Sequence, residues 1–169
     1  MIESFQRLGG IHGIIVMSFY RYGNWVYYKV KIPGIRHILW TFYRLIDFCF
    51  VRLFLNCEIP AQCHIGKNIR LPHGGNGIIL HKNVIIKDNV TIFHQVTLGI
   101  VNYGIGLEKI VVENGALIGC GAKILGNVTI GENAKVGANT VVLKDVPVGY
   151  TAVGSSAELK LNNNNKIQI

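Results

Sequence analysis

The side chain best suited to acid–base chemistry in this sequence is His73, which lies in the glycine-rich segment PHGGNG. Glycines leave the backbone uncovered, so a ligand can approach such a segment closely. An imidazole titrates near pH ~6.5, and it can take a proton from a hydroxyl group and return it to a leaving thiolate. On spacing alone a structural loop histidine explains His73 equally well, since an isolated histidine carries little information.

Two other residues are related to His73 by their spacing. The chain has a six-residue repeat that predicts coils of about 18 residues. Glu58 precedes His73 by a little less than one such coil, and His94 follows His73 by one coil plus the residues that PHGGNG adds to the repeat. A carboxylate beside the imidazole would fix its tautomer and stabilise the positive charge that develops during proton transfer. We therefore predict Glu58 and His73 as a catalytic pair on neighbouring coils. His94 is predicted to share the phase of His73, where it assists the base, contacts substrate or lines the outer wall.

The cysteines argue against a disulfide framework and against a zinc site. They show no CxxC spacing, and the histidines and acids add none of the usual short ligand spacings. No cleavable signal is evident near the N-terminus, and the uncharged stretch from Leu8 to Tyr20 is too short to span a bilayer. We expect no metal, reduced thiols and a cytoplasmic location, with or without a peripheral contact at the inner membrane face.

A six-residue repeat defines the elements that must position these side chains. One unit can supply one flat side and one corner of a triangular coil, with an aliphatic residue pointing inward and a small or β-branched residue four positions later. Three units make a coil of about 18 residues. The pattern predicts a mainly β fold, a left-handed parallel β-helix. The aliphatic positions are Ile59, Ile65, Leu71, Leu80, Ile86, Ile92, Leu98, Val112, Ile118, Ile124, Ile130, Val136 and Val142.

Two interruptions break the repeat, and loops that leave a rigid scaffold are common places for chemistry. The first is PHGGNG and the second covers residues 99–111. The predicted organisation is an N-terminal helical segment over 1–56, a β-helix over 57–158 and a tail over 159–169. In the first segment, helical spacing and the pair Pro33-Gly34 predict two helices, the second long and amphipathic.

Charge is concentrated in the helical segment. The chain has a net charge of +8, and residues 1–56 hold seven Lys or Arg against two acids, with 13 of the 16 aromatic residues. Such a segment suits an anionic membrane surface or ligand, and it suits equally a helical piece whose cations are simply solvated. No nucleic-acid recognition motif accompanies these cations, so we expect no nucleic-acid partner.

Residues 57–157 resemble the serine acetyltransferase family of hexapeptide-repeat acyltransferases. The most specific segments are EIPAQCHIG, PHGGNG, VTIFHQVTLG, LIGCGAKILGNVTIGENAKVGANTVVLKDVP and AVGSSA. The resemblance implies a homotrimer that transfers acetyl from acetyl-CoA to a hydroxyl, with His73 as the base and Glu58 in place of the orienting aspartate. It also implies that backbone groups hold acetyl-CoA between subunits. Lys123 and Lys144 fit the phosphates of the cofactor, and they fit equally well as solvated lysines at corners of the coil. The matching residues are Thr97, Gly99, Gly119, Gly121, Ala122, Lys123, Gly137, Ala138 and Lys144.

The sequence departs from that family where the acceptor amino acid is bound. Pro72 replaces the aspartate before the catalytic histidine, and Gly106-Leu107-Glu108-Lys109 replaces an Arg-His pair. Loss of the bidentate carboxylate contact removes the main reason to expect an amino-acid acceptor. The short aromatic head is also more similar to the exopolysaccharide and capsule acetyltransferases. We therefore predict a sugar hydroxyl of a surface glycan as acceptor, with L-serine as one alternative and a non-catalytic β-helix binding protein as another.

Overall fold

Twelve short β-strands follow two α-helices in the described residues of this computed structural model, which are 6–101 and 108–154. Every strand has two or three residues, as expected when each side of a coil is short and each corner is tight. The strands are β1 His64–Ile65, β2 Ile79–Leu80, β3 Ile85–Ile86, β4 Thr91–Ile92, β5 Thr97–Gly99, β6 Ile110–Val112, β7 Leu117–Ile118, β8 Lys123–Leu125, β9 Val128–Ile130, β10 Lys135–Val136, β11 Val141–Val142 and β12 Thr151–Ala152.

The helices are α1, Ile11–Lys29, and α2, Pro33–Ile46. They are separated at the predicted break, because proline is tolerated in the first turn of a helix but not in its interior. The long second helix that the sequence predicts is present as α2 together with a π-helical segment, Asp47–Arg52, that follows it directly. No helix in the described ranges has the length and apolar character needed to cross a bilayer.

The strands form three parallel four-stranded sheets, ordered β1-β3-β6-β9, β2-β5-β8-β11 and β4-β7-β10-β12. Successive strands of the chain belong to successive sheets, so the chain winds through all three in each coil. Ile79 pairs with Thr97, at the spacing of one predicted coil. The pairs His64 with Ile85 and Ile85 with Val111 are wider apart in the sequence, because the two interruptions lengthen those coils without disturbing the ladder.

The core is a continuous stack of the predicted aliphatic positions. Each of them, from Ile59 to Val142, is buried, with an exposed fraction of 7% or less. The small residues four positions later are buried as well, from Cys63 to Val146. Burying each aliphatic side chain contributes roughly 1.5–3 kcal/mol relative to exposure. The six-residue hydrophobic period of the sequence therefore corresponds to the side chains that point into the prism.

The corners between strands place asparagine or glycine in the left-handed region of backbone space. Asn133 and Asn139 lie one repeat unit apart, each with φ of 55°, and Gly115 and Gly121 lie one unit apart with φ of 69° and 68°. Only glycine, and to a lesser extent asparagine, adopts this conformation at low cost. The corner residues thus repeat with the same period as the core.

Helix α1 packs along the first coil and closes its outer edge. The Tyr20 hydroxyl donates to the carbonyl of Cys63 at 2.8 Å and accepts from the amide N–H of Ile65 at 3.0 Å. Arg21 donates to the carbonyls of Ile65 and Gly66, and Asn24 donates to that of Cys63 at 3.0 Å. Since Tyr20 and neighbouring apolar residues of α1 also join the core of the prism, the helices and the β-helix share one core.

Candidate functional site

His73 lies in the first interruption, between the first coil and β2, and its side chain is exposed. The loop is fixed by backbone hydrogen bonds, including Gly74 N–H to the carbonyl of Leu71 at 2.9 Å and Gly77 N–H to that of Asn56 at 2.7 Å. Gly74, Gly75 and Gly77 all have positive φ, so the loop needs glycine at these positions. The result is an accessible imidazole on a defined backbone.

His94 contacts His73, as the shared phase of the two residues predicts. Their ring centroids lie 4.6 Å apart with nearly perpendicular planes, and the ring centroid of Phe93 lies 6.3 Å from that of His73. The Nδ1 atom of His94 is buried and has no hydrogen-bond partner among the described residues. A buried polar atom without a partner is rare in folded proteins.

Glu58 does not form the predicted hydrogen bond with His73. In the parallel strand pairing between coils, Glu58 pairs with Ile79. The PHGGNG interruption lengthens the first coil, and it therefore changes which residue of the next coil lies beside Glu58. Its Oε1 atom forms an ion pair with Nη1 of Arg52 at 2.8 Å, and Arg52 also contacts Asp47 at 3.0 Å. Partial burial lowers the pKa of Arg52, but contact with these two carboxylates raises it more, so the net shift of the pKa is upward. Glu58 thus contacts Arg52 in the structure, and its pairing with His73 stays a prediction.

Among the predicted cofactor residues, Thr97 and Lys123 lie side by side. Thr97 in β5 pairs with Lys123 in β8, and Gly99 pairs with Leu125 at the other end of the same strands. The Lys123 ammonium donates to the carbonyl of Gln95 at 2.8 Å and to the Thr97 hydroxyl at 3.2 Å. The structure thus holds the lysine against the outer face of the sheet β2-β5-β8-β11.

Gly119, Gly121 and Ala122 have structural roles that account for their types. A Cβ atom on Gly119 would lie 2.7 Å from the amide nitrogen of Ala138, so the corner requires glycine. Ala122 is fully buried, and its N–H and carbonyl are both hydrogen-bonded within the β-helix, to Gly119 and Thr97. Contact between Ala122 and a cofactor is therefore not supported by its side chain or its backbone polar groups.

The remaining predicted cofactor residues lie on the last coils. Gly137 donates its N–H to the carbonyl of Ala152 at 2.8 Å, and Ala138 is exposed at the following corner. Lys144 is exposed after β11 and lines an open groove of about 610 Å³. The same groove includes Tyr150, so a cation and an aromatic ring face it together.

The second interruption contains Glu108 at one of the positions where the resembled family has an Arg-His pair. Its Oε2 atom accepts a hydrogen bond from the amide N–H of Val101 at 2.9 Å, and its carbonyl accepts from Asn83 at 3.1 Å. Gly106 and Leu107 lie outside the described residues. Glu108 therefore joins the two ends of the excursion.

The buried cysteines are unsuited to nucleophilic catalysis. Burial raises the pKa of Cys57 and of Cys63 to about 12, so each thiol stays protonated near neutral pH. Burial, followed by the charge of Lys82, lowers the pKa of His81, whose Nδ1 already accepts from the N–H of Asn83. Among the described residues, no three His, Cys, Asp or Glu side chains converge in a way that would hold a metal ion.

Sequence reasoning missed two residues of this region, Arg52 and Phe93. Arg52 reaches Asp47 across five positions because the π-helical segment widens the turn, and nothing in the sequence announces that segment. Phe93 had a signal, since it is adjacent to His94 and is the only phenylalanine after residue 54. Its ring contributes an apolar wall beside His73.

Comparison with known proteins agrees with the fold. A family model described as bacterial transferase hexapeptide (six repeats) matches residues 109–144. The curated serine acetyltransferase of Buchnera aphidicola subsp. Schizaphis graminum is 37% identical over 147 residues, which cover 83% of this chain and 56% of that protein. The chain thus spans little more than half the length of such relatives.

Solved structures give the same result. Serine acetyltransferase from Brucella abortus strain S19, in complex with coenzyme A, has a TM-score of 0.74 and 29% identity, over 88% of this chain and 55% of that one. Soybean serine acetyltransferase complexed with serine has a TM-score of 0.72 and 34% identity, over 89% and 58%. These neighbours and the hexapeptide repeat indicate a left-handed coil, and they do not support the predicted likeness to capsule enzymes. The chain carries the bacterial transferase hexapeptide repeat, and it is similar to the serine acetyltransferases.

Proposed function

We propose that this chain is an acetyl-CoA-dependent O-acetyltransferase that uses His73 as its general base. The observation that carries the proposal is the exposed His73 imidazole, held on a glycine loop against His94. His73 takes the proton of the acceptor hydroxyl while the hydroxyl oxygen attacks the thioester carbonyl carbon. The carbon–sulfur bond then breaks, and the proton passes from His73 to the leaving thiolate. The buried, protonated thiols of Cys57 and Cys63 are unsuited to forming an acyl-cysteine intermediate.

Acetyl-CoA is proposed to lie along the later coils, with Thr97, Gly99 and Lys123 on one sheet and Lys144 in the groove of the last coils. A long, flexible thioester with phosphate groups fits residues that combine exposed ammonium groups with short side chains. The coenzyme A complex of the Brucella abortus relative supports this ligand class. The enclosed Ala122 and the corner glycine Gly121 are proposed only to shape the groove.

L-serine is the acceptor that the comparisons favour. The curated relatives are serine acetyltransferases, and a soybean neighbour is complexed with serine. A sugar hydroxyl of a capsular or exopolysaccharide glycan is the second candidate. It is favoured by one observation, that Glu108 stands where the serine-binding relatives of the resemblance carry an Arg-His pair. A panel of L-serine, nucleotide sugars and oligosaccharides in a thiol-release assay separates the two.

The central test is substitution of His73 by asparagine. Loss of a general base reduces turnover by roughly 10²–10⁴-fold, and His37→Asn, an exposed histidine on α2, is the matched control. Circular dichroism of both variants should match the unsubstituted chain. Full activity of His73→Asn would reject the mechanism, and no activity of the unsubstituted chain with any hydroxyl acceptor would favour a non-catalytic binding protein.

We further propose a cytoplasmic homotrimer, because pairing the shallow sides of neighbouring β-helices would deepen each cofactor groove. Its support is the exposed apolar surface of the last coils, where Leu143, Val148 and Val153 are 66%, 68% and 73% exposed. A peripheral membrane contact is proposed for the apolar face of α2, including Ile38 and Phe42, in a chain of net charge +8. Sedimentation velocity tests the first proposal, and flotation with phosphatidylglycerol vesicles tests the second.

A further inference from the structure

A groove of about 770 Å³ lies next to His73 and is lined by two arginines. Arg7 reaches it from the segment before α1, and Arg70 reaches it from the position that pairs with Thr91. Pro72 and Phe93 form part of its wall.

The groove is connected to the candidate base through its walls. Pro72 directly precedes His73, and the Phe93 ring centroid lies 6.3 Å from that of His73. The amide N–H of Leu71 donates to the carbonyl of Arg7 at 2.9 Å, which fixes the N-terminal segment to the start of the PHGGNG loop. The groove therefore shares Phe93, and the residue that precedes His73, with the surroundings of the imidazole.

The charge of the groove is positive and only partly satisfied by the protein. No acidic side chain lines it, and the ion pairs of the described residues involve Arg52 rather than Arg7 or Arg70. Arg7 donates from Nη1 to Oδ1 of Asn68 at 3.0 Å, while its buried Nε has no partner in the described ranges. A buried guanidinium nitrogen without an acceptor is costly, and a planar anion is the group that guanidinium geometry matches.

We infer that this groove binds the carboxylate of the acceptor, with Arg7 and Arg70 as the specificity-determining residues. The substrate class is an alcohol that carries a carboxylate a few bonds from its hydroxyl, so that the carboxylate lies at the arginines and the hydroxyl at His73. The inference rests on the proposed function. The chain lacks the Arg-His pair in its second interruption, and Arg7 and Arg70, which are distant in the sequence, would provide the carboxylate contact instead.

The test is a comparison of acceptors in the thiol-release assay. L-serine carries the carboxylate, L-serinamide has the same hydroxyl without it, and glucuronate presents a carboxylate on a sugar. We expect a preference for a carboxylate acceptor over L-serinamide of about tenfold or more, the range for a hydrogen bond to a charged group. Preference for L-serine identifies an amino-acid acceptor, and preference for glucuronate identifies an acidic sugar.

Substitution assigns the preference to the groove. Arg70→Gln should raise KM for the preferred carboxylate acceptor about tenfold or more, with KM for acetyl-CoA unchanged. Arg7→Gln should do the same, and Arg44→Gln, an exposed arginine on α2, is the matched control. A rise in KM for acetyl-CoA instead would assign the arginines to the cofactor phosphates and overturn the inference, as would an equal effect of Arg44→Gln.

Binding to His73→Asn separates this inference from the mechanism. Calorimetric titration of that variant with L-serine or glucuronate should detect binding that Arg70→Gln weakens about tenfold or more. If turnover depends on His73 but L-serinamide serves as well as either carboxylate acceptor, the groove assignment is wrong and the proposed function stands. If His73→Asn retains full activity, the proposed mechanism fails, whatever the arginines do.

Discussion

Replacing Tyr20 by phenylalanine removes one oxygen atom from the boundary between α1 and the first coil. That hydroxyl is buried, donates to the carbonyl of Cys63 and accepts from the amide N–H of Ile65. The carbonyl keeps a second donor, Asn24, at 3.0 Å, whereas the Ile65 N–H loses its acceptor. The structure therefore predicts one buried, unsatisfied donor rather than two unsatisfied groups.

The expected cost is the desolvation of that single donor, about 1–3 kcal/mol of unfolding free energy. Tyr28→Phe is a matched control on the same helix. Its hydroxyl donates to the carbonyl of Gln62 at 2.9 Å, but the side chain is 43% exposed, so water can replace the lost donor. A change within about 0.5 kcal/mol is expected there.

Urea unfolding followed by circular dichroism measures both variants. Unchanged slopes with a lower midpoint for Tyr20→Phe would assign the difference to the folded state. The reasoning is refuted if Tyr20→Phe is no less stable than Tyr28→Phe. That result would mean that α1 does not hold the edge of the first coil through this hydroxyl.

Three further predictions concern the titration of Tyr20, the core of the prism and the role of Glu58. Burial raises the pKa of Tyr20 to about 12, above ~10 for an unfolded tyrosine. The contribution of Tyr20 to stability is therefore complete below pH ~10 and is lost as the pH rises toward 12. The unfolding midpoints of the unsubstituted chain and of Tyr20→Phe should converge over that range. Ile118→Ala should cost about 2–5 kcal/mol and Ile118→Val about 0.5–1.5 in the same urea assay, because Ile118 is fully buried between Ile92 and Val136. Glu58→Gln should lower kcat/KM far less than the roughly 10²–10⁴-fold expected for His73→Asn, because its carboxylate contacts Arg52; equal losses would restore Glu58 as the partner of His73.

The repeat could be predicted from the sequence because its cause is local. Each coil buries one aliphatic residue per side. The spacing of Ile118, Ile124 and Ile130 therefore predicts three sides of the prism without knowledge of any distant contact. The contact between His73 and His94 followed from the same arithmetic, since the extra length of the PHGGNG loop was visible in the spacing.

The partner of Glu58 was not predictable in this way. Its contact with Arg52 depends on a π-helical turn, and its place in the ladder depends on how the first interruption lengthens the coil. The arginine groove was equally hidden, because Arg7 precedes α1 and Arg70 ends the first coil. The period of the repeat predicts the buried residues of this fold. The packing of the N-terminal helical segment determines which side chains contact each other on its outside.

The contacts of α1 with the first coil also bear on self-association. The first coil of a parallel β-helix has no preceding coil to pair with, and such an unpaired strand edge can recruit the edge of another molecule. Here side chains of α1 occupy the outward backbone carbonyls, and Tyr20 occupies the Ile65 amide. The helix thus covers the edge at which another coil could add to the first one. The carbonyls that it occupies are those of Ala61, Gln62, Cys63, Ile65 and Gly66.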